Sequence, residues 1–473
     1  MPNKHLLSIG VMTGNSLDGV DVVLTQISED GQIKDLAAHS EKNPDDLTAA
    51  LKDLRLSVQS CLGDVVKAEE YFEKNYKTKH GTIEKVHSRY LASVADCIKA
   101  LLSKVPLQEK VDLIGLHGQT CTHVPPSVAG SSDPDKVYTV QFGDGQELAD
   151  LTGITVVCDF RSDDLMNGGE AAPLAPLHHE HLALQNSSKN FPIIFCNGGN
   201  TGNISIVSED LETGKPLTLG WDTGPFNHYP DTLMCKEKKQ SCDYNGQLGM
   251  QGKVMLGILQ TLFDKAALTK AGENFILKPP PKSSDPTWYF LVPELTNDRI
   301  FFPNRLRAAE YFSAYSFFYN LTLIPANIKI PIRLALCGGG WKNATIRLHF
   351  EALLKGDHST SPVLAAHKKL FEDFLEKNDF EANLSSHYGF DEESMEARIF
   401  ADAAVCKIKN EPFSRPDVTG VKSPCVLGLV RFPKSDQANA TGRLNSWIEK
   451  YKPELKKEAS SKWSRAAAGW KSS

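Results

Sequence analysis

The chain has 473 residues and 52.1 kDa, and its 52 basic against 58 acidic residues leave a formal charge of −6. At roughly 150 residues per domain, two or three domains are expected, enough to bury a core without disulfide or metal staples. The acidic balance argues against a surface that tracks a nucleic-acid backbone, and no apolar run approaches the roughly 18 residues of a membrane span, so a soluble cytoplasmic protein with neither nucleic-acid nor membrane partners is expected.

Residues 6–27, LLSIGVMTGNSLDGVDVVLTQI, read as strand, polar loop and strand. Apolar positions at Ile83, Val86, Tyr90, Val94, Cys97, Ile98 and Leu101 follow helical spacing. Next come a buried strand VDLIGLHGQT, a strand YTVQFG, a helix around 146–151 and a strand ITVVCDF. Near residue 192 the hairpin plan returns as FPIIFC, NGGNTGN and ISIV, which suggests a duplicated architecture. Helices are expected over GKVMLGILQTLFDKAAL and RLRAAEYFSAYSFFYNL, with the Pro-rich 277–286 as a loop between them. IRLALCGGG reads as a strand ending in three glycines, KNATIRLHFEALL and HKKLFEDFLEK as helices, and 393–407 as one more. The tail from Glu449, with seven Lys/Arg against three Glu, is expected to be a frayed helix. Strands alternating with helices argue an α/β fold. The ten cysteines include no Cys-x-x-Cys pair, and several sit in strand-like runs as reduced core thiols.

Three glycine-rich turns, 14–19, 198–202 and 338–340, offer backbone amides to an anion, and together they suit the several phosphates of a nucleotide. Neither GxxxxGK[ST] nor GxGxxG is present at them, which disfavours those two nucleotide-binding families. Phosphoryl transfer without a phosphate-loop lysine needs Mg²⁺, for which Asp18, Asp21, Asp222 and Glu396 are candidate carboxylates. Asp222 stands at the end of an apolar run and before Thr-Gly-Pro, a setting that suits a positioned general base. Asp159, Arg161 and Asp164 follow another strand, where a fixed guanidinium could hold a sugar substituent or form a structural ion pair. His117 and Gln119 also end a strand; His117 beside glycine reads more readily as a packing residue than as a catalytic one, and no acid/base role is assigned to it.

Taken in order, MTGNSLDGVD, GLHGQT, TVQFGDG, GITVVCDFRSDD followed by GGEAAPLAP, NGGNTGNIS, GWDTGPFN, CGGGWKN and MEARIFA resemble the motif series of the anhydro-N-acetylmuramic acid kinase family, from about residue 6 to residue 430. That family includes levoglucosan kinases and belongs to the sugar-kinase, heat-shock-protein and actin superfamily. The resemblance implies an α/β fold of two RNase H-like, actin-like ATPase lobes with a nucleotide cleft between them. The first lobe would span 1–150, which 408–440 can rejoin, the second 151–407, and 441–473 would be a basic tail.

It further implies that ATP phosphates lie against Gly14, Asn15, Ser16, Leu17, Asp18, Gly19, Val20 and Asp21 and against Gly198 and Gly199. Gly338, Gly339, Gly340 and Asn343 would border the adenosine. Asp222 would be the base, Asp18 and Glu396 would hold Mg²⁺, and His117, Gln119, Asp159, Arg161 and Phe226 would face the sugar. In the implied reaction, water deprotonated by Asp222 attacks the anomeric carbon of a 1,6-anhydro sugar, and the freed 6-oxygen takes the γ-phosphoryl group, in the service of peptidoglycan recycling. A homodimer is implied too. Several positions depart from the family pattern: Asn15 replaces threonine, Glu170 and Ala171 replace glutamine and glycine, and Asn200 and Phe226 each replace glycine. A phenyl ring at 226 is expected to reshape or block the sugar pocket. A different anhydro sugar such as levoglucosan, or a nucleotide-binding pseudokinase, are the competing readings.

Overall fold

The computed structural model describes every residue except 1–3, 15, 16, 18, 132, 134, 135, 186–190, 270, 271, 285–287, 392–394, 435–439, 457–460 and 468–473. The chain forms two compact units, Met1–Gln185 with Ser394–Ser473, and Asn186–Glu393.

The first unit begins with a meander of β1 (His5–Met12), β2 (Gly19–Ser28) and β3 (Ile33–Lys42), followed by β4 (Leu113–Leu116), β5 (Gln119–Val124), β6 (Tyr138–Phe142) and β7 (Thr155–Cys158). The second unit holds β8 (Ile193–Gly198), β9 (Thr201–Glu209), β10 (Pro216–Pro225), β11 (Arg333–Cys337) and β12 (Glu381–Leu384). The chain then returns to the first unit with β13 (Leu429–Arg431) and β14 (Trp463–Ala467).

The two main sheets share one plan. In the first unit the order is β13-β7-β4-β1-β2-β3, and in the second β10-β9-β8-β11-β12. In both, the first three strands form an antiparallel meander, and the next two add in parallel on the other side of the first. With β13 set aside, the two orders superimpose strand for strand. The two hairpins that the sequence pairs, β1–β2 and β8–β9, occupy the same place in each unit.

Why the first sheet carries helices on both faces follows from the alternation along β1. Leu7, Ile9 and Val11 pack with one apolar cluster, which includes Val86, Tyr90, Val94 and Ile98 of the helix Ile83–Ser103. Leu6 packs with Ile399, Phe400 and Ala403 of the helix Met395–Lys409, and Ser8 donates to the Ala401 carbonyl at 2.9 Å. Side chains of a strand alternate between faces, so a nearly unbroken apolar run feeds two cores. The Ile83–Ser103 helix starts where Thr82 accepts from the Lys85 amide at 3.3 Å.

Three expectations are corrected. VDLIGLHGQT is two strands rather than one: Gly118, at φ 78°, turns the chain from β4 into β5, which belongs to a separate sheet of order β14-β6-β5. The tail is a helix, Gly442–Tyr451, and then a strand that pairs with β6. Trp463 packs on Phe142 at 4.9 Å between ring centroids, and its indole N–H donates to Glu69 at 2.7 Å. The division of the chain falls at 185 and 394 rather than at 150 and 407, because β7, the helix Ala175–Leu184 and the helix Met395–Lys409 complete the first unit's core. Among the described residues no helix is long and apolar enough to cross a membrane.

Candidate functional site

In an α/β sheet, functional loops gather beyond the carboxyl ends of the parallel strands. Beyond the ends of β1, β4 and β7 lie Gly14, His117 and Asp159–Arg161. The Met395–Lys409 helix runs antiparallel to β1, since Ser8 meets Ala401 and Gly10 meets Ala397. Its first turn, with Glu396, therefore sits at this same edge. The approach is closer than side chains allow: a Cβ on Gly10 would lie 1.8 Å from the Ala397 carbonyl oxygen, and one on its strand partner Gly115 would lie 1.9 Å from that of Phe400.

The first loop is held from beneath. Leu17, fully buried and at φ 65°, closes a turn on the Gly14 carbonyl, and its own carbonyl accepts from Asn43 and Thr48 at 3.2 Å. Val20 is also fully buried, so Leu17 and Val20 can offer a ligand only backbone. Gly19 and Asp21 begin β2. Asn15, Ser16 and Asp18 lie outside the described residues. The Gln119 amide N–H donates to the Gly14 carbonyl at 3.2 Å, while its own carbonyl oxygen, buried, has no hydrogen-bond partner among the described residues.

Arg161 and His117 form one unit. The guanidinium donates to His117 Nε2 from Nε at 3.1 Å and to the Ala171 carbonyl from NH1 at 2.5 Å. Burial, reinforced by this cation, holds the His117 imidazole well below its usual pKa, so the ring is neutral with its proton on Nδ1. Asp159 and Ala171 have left-handed backbones, at φ 60° and 53°. Such strain in non-glycine residues persists only where surrounding bonds fix it. Asp159 accepts from the Ser162 hydroxyl at 2.5 Å, and the Ala171 amide donates to Asp164 at 2.6 Å. Asp164, fully buried, also accepts from the Ser414 and Thr419 hydroxyls. Glu170, at the position where the motif has glutamine, accepts from the amide and hydroxyl of Ser127.

In the second unit the corresponding edge carries the glycines of β8–β9, the turn after β11 and the end of β10. Asp222, 8% exposed, sits at a register shift between β10 and β9 that also involves Gly224. A bulge of this kind re-aims a side chain. Its Oδ2 accepts from the Ser284 amide at 2.8 Å and from the Ser284 and Ser283 hydroxyls at 3.2 and 3.3 Å. Its own amide donates to the Lys282 carbonyl at 3.1 Å. Lys282 is buried, with Nζ donating to the carbonyls of Phe275 and Ile276 and lying over the Phe275 ring. Burial lowers its pKa to about 7, against the pull of the Asp222 carboxylate. These loop residues are what sequence reasoning missed: a lysine and two serines after prolines look solvated, and only the fold shows them closing on a carboxylate.

Phe226 does not face an open pocket. It is 1% exposed, 4.8 Å from the Trp341 ring and 5.8 Å from that of Phe317. A Cβ on Gly198 would meet its ring at 2.7 Å and one on Gly340 at 2.6 Å. The expected obstruction is thus replaced by a brace: the ring points inward and supports Gly198 and Gly340 from below. The Asn227 amide donates to the Gly199 carbonyl at 3.0 Å, which ties the second loop to the Asp222 strand. Gly338, at φ 87°, packs its Cα against Asn197 and Gly198 closely enough that a Cβ would lie 2.4 Å from the Asn197 side-chain oxygen. Gly339 faces open space. Asn343 caps the helix Ala344–Leu354 by accepting from the Thr345 and Ile346 amides, and donates to the buried Glu310 at 2.7 Å. Its side chain is committed to structure, so it shapes the turn rather than reaching outward.

The edge of each unit thus gathers its own share of the expected residues. The anhydro-N-acetylmuramic acid kinase profile matches residues 6–368. The anhydro-N-acetylmuramic acid kinase of Haemophilus influenzae is 30% identical over 440 residues, covering 90% of this chain and 97% of that protein. Among solved structures, the activator of 2-hydroxyisocaproyl-CoA dehydratase from Clostridium difficile aligns over 84% of this chain and 94% of its own, at 9% identity and a TM-score of 0.35. Xylulose kinase from Lactobacillus acidophilus aligns over 94% and 97%, at 12% identity and a TM-score of 0.34. At such scores the strand order, not the overlay, defines the fold. The profile and the extended sequence identity agree, and the chain belongs to the anhydro-N-acetylmuramic acid kinase family.

Proposed function

We propose that this protein is an ATP-dependent kinase of anhydro-N-acetylmuramic acid, which couples hydrolytic opening of the 1,6-anhydro ring to phosphorylation of the 6-oxygen. The observation that carries the reading is Asp222: a carboxylate on a strand bulge, one oxygen fixed by Ser283 and Ser284, in the family's base position. Fixing the carboxylate leaves it no reorientation when it takes the proton of a water that attacks the anomeric carbon. The departing bridge oxygen becomes the 6-hydroxyl and accepts the γ-phosphoryl group.

Backbone amides of the first loop and of Gly198–Gly199 are suited to phosphate oxygens, and the turn Gly338–Gly340 to the nucleoside. The donor set suits Mg²⁺, because Glu396 lies in a helix first turn on the edge that the first loop occupies, and Asp18 lies within that loop. Mg²⁺, when bound, supplies charge neutralisation on the transferring phosphoryl group. The buried Gln119 oxygen is an acceptor without a partner among the described residues, and a sugar hydroxyl would satisfy it. Burial, with Arg161 beside it, keeps His117 neutral, and the Arg161 hydrogen bond orients it on the same edge. The role in the cell is recycling of cell-wall sugar. Incubation with Mg-ATP and the anhydro sugar, followed by mass spectrometry, is expected to yield the ring-opened 6-phosphate; an intact, nucleotide-binding protein that gives none refutes the reading.

A further inference from the structure

The half of the Met395–Lys409 helix remote from Glu396 carries Asp402 and Cys406, one turn apart and both buried. Facing them is the helix Ala175–Leu184 with His178 and His181. Asp402 Oδ2 accepts from Nδ1 of both histidines at 2.8 Å, and the Cys406 thiol lies 3.8 Å from Oδ1. His178 is itself oriented, since its Nε2 accepts from Arg398 at 3.1 Å. His181, with 30% of its side chain exposed, opens with Asp402 and Cys406 onto a cavity of about 350 Å³ also lined by Glu29, Asp30 and Glu411. None of these residues has a part in the reaction proposed above.

We propose that His181, Asp402 and Cys406 are the protein ligands of a divalent transition-metal site of the zinc type, distinct from the Mg²⁺ chemistry of phosphoryl transfer. Their donor atoms all lie within 4.8 Å of one another. A tetrahedral cation with bonds of roughly 2.0–2.3 Å holds its ligand atoms about 3.3–3.7 Å apart. His181 Nδ1 lies 2.8 Å from Oδ2 of Asp402 and the Cys406 sulfur 3.8 Å from Oδ1, so rotation of the carboxylate and of the two neighbouring side chains is what completes the set. A nitrogen, an oxygen and a sulfur select zinc or cobalt over the hard, oxygen-seeking Mg²⁺. The fourth position faces the cavity, where water or a carboxylate can fill it. His178 provides the outer support that metal-binding carboxylates commonly receive, itself fixed by Arg398.

Protons now stand where the cation would. The cation displaces the Cys406 thiol proton, and His181 gives its Nδ1 lone pair with the remaining ring proton on Nε2. One proton leaves if His181 is neutral and two if it is charged. The charged groups around the site are Glu29, Asp30, Glu411 and Lys409, which line the cavity, with Glu29 paired to Lys450 and Glu411 to Lys409, and, behind His178, Arg398. Because the cation takes the place of ligand protons, affinity increases with pH. A bound cation would pin the Ala175–Leu184 helix to the helix that carries Glu396.

The test is a Co²⁺ titration of the full chain after chelator treatment, read by absorption. Saturation at one equivalent is expected, with tetrahedral visible bands and a sulfur-to-cobalt charge-transfer band. Zn²⁺ should displace the cobalt and Mg²⁺ should not. Cys406→Ser should abolish the charge-transfer band and His181→Gln should weaken binding by at least about tenfold, with near-ultraviolet circular dichroism confirming that both variants fold. Absence of saturable binding up to millimolar Co²⁺, or a band that survives Cys406→Ser, overturns the proposal.

Discussion

Replacing Gly10 by alanine tests whether helix-to-strand contact sets the position of Glu396. The added Cβ would lie 1.8 Å from the Ala397 carbonyl oxygen and 2.8 Å from the Ala401 amide nitrogen. Ordinary carbon–oxygen contact is about 3.4 Å, so the helix must retreat by about 1.5 Å or the strand must bend. Forcing atoms into a packed core costs about 1–3 kcal/mol, and here the obstacle is backbone, which places the loss at the upper end. Glu396 precedes Ala397 in the chain and moves with it. A displacement of about 1 Å can cost about a hundredfold in rate, so kcat should fall by that order while the sugar KM changes less. Urea denaturation and steady-state kinetics measure the two effects. Gly257→Ala is the control: it lies in the helix Leu256–Lys265 with nothing within 4 Å of its Cβ, and should stabilise by about 0.5–1 kcal/mol. A Gly10→Ala enzyme with unchanged stability and kcat would refute the reasoning.

Asp222→Asn should lower turnover by about two to four orders of magnitude and leave ATP affinity, measured by calorimetry, intact. Phe226→Gly, which restores the family's usual residue, should cost about 3–5 kcal/mol in denaturant unfolding because it empties the space under Gly198 and Gly340; an unchanged midpoint would show that the ring supports nothing. Trp463→Ala should cost about 3 kcal/mol or more, whereas a frayed tail would tolerate it without loss. The pH dependence follows from buried neutral histidines: burial lowers His87 and His228 to about 4 and His123 and His349 to about 3. The unfolded chain binds those protons near pH 6.5 and the folded chain does not, so stability falls as pH drops from about 6.5 to 4. For His87 alone the full shift is worth about 3 kcal/mol, and His87→Gln should flatten the acid limb of a melting-temperature profile.

Much of the fold is legible in the sequence because local signals and tertiary demands agree. The hairpins at 6–27 and near 192, the helix from Ile83 and the strand that ends at Gly338 all follow apolar periodicity bounded by glycine or polar turns. Where one residue reverses a direction, the pattern is silent. Gly118 breaks an apolar run into strands of two sheets, and nothing in LIGLHGQT marks it apart from the other glycines. The tail reads as solvated because lysines dominate it, yet Trp463 and the pairing with β6 decide its state. At the site, Asp222 is visible as a strand-end carboxylate. Its partners Ser283 and Ser284 are sixty residues away, and their approach depends on how a Pro-rich loop folds back. Phe226 shows a further limit: a substitution names the residue that changed, while only the backbone decides which side its ring takes.

The arrangement of the first unit as two separated stretches of chain carries a consequence for biogenesis. As the polypeptide leaves the ribosome, β1, β4 and β7 can pair early, yet Leu6, Leu113 and Val157 belong to a core whose other wall is the helix Met395–Lys409. That wall is synthesised only after all of the second unit, a contiguous segment able to collapse on its own contacts. One sheet face therefore remains greasy and uncovered through the translation of the entire inserted unit. Closing so distant a contact late is slow, and nascent chains in this condition are prone to aggregation. The glycine pair that admits the helix so closely is thus also the seat of a late contact, and yield on expression should be more sensitive to Gly10 and Gly115 than the stability of the finished protein is.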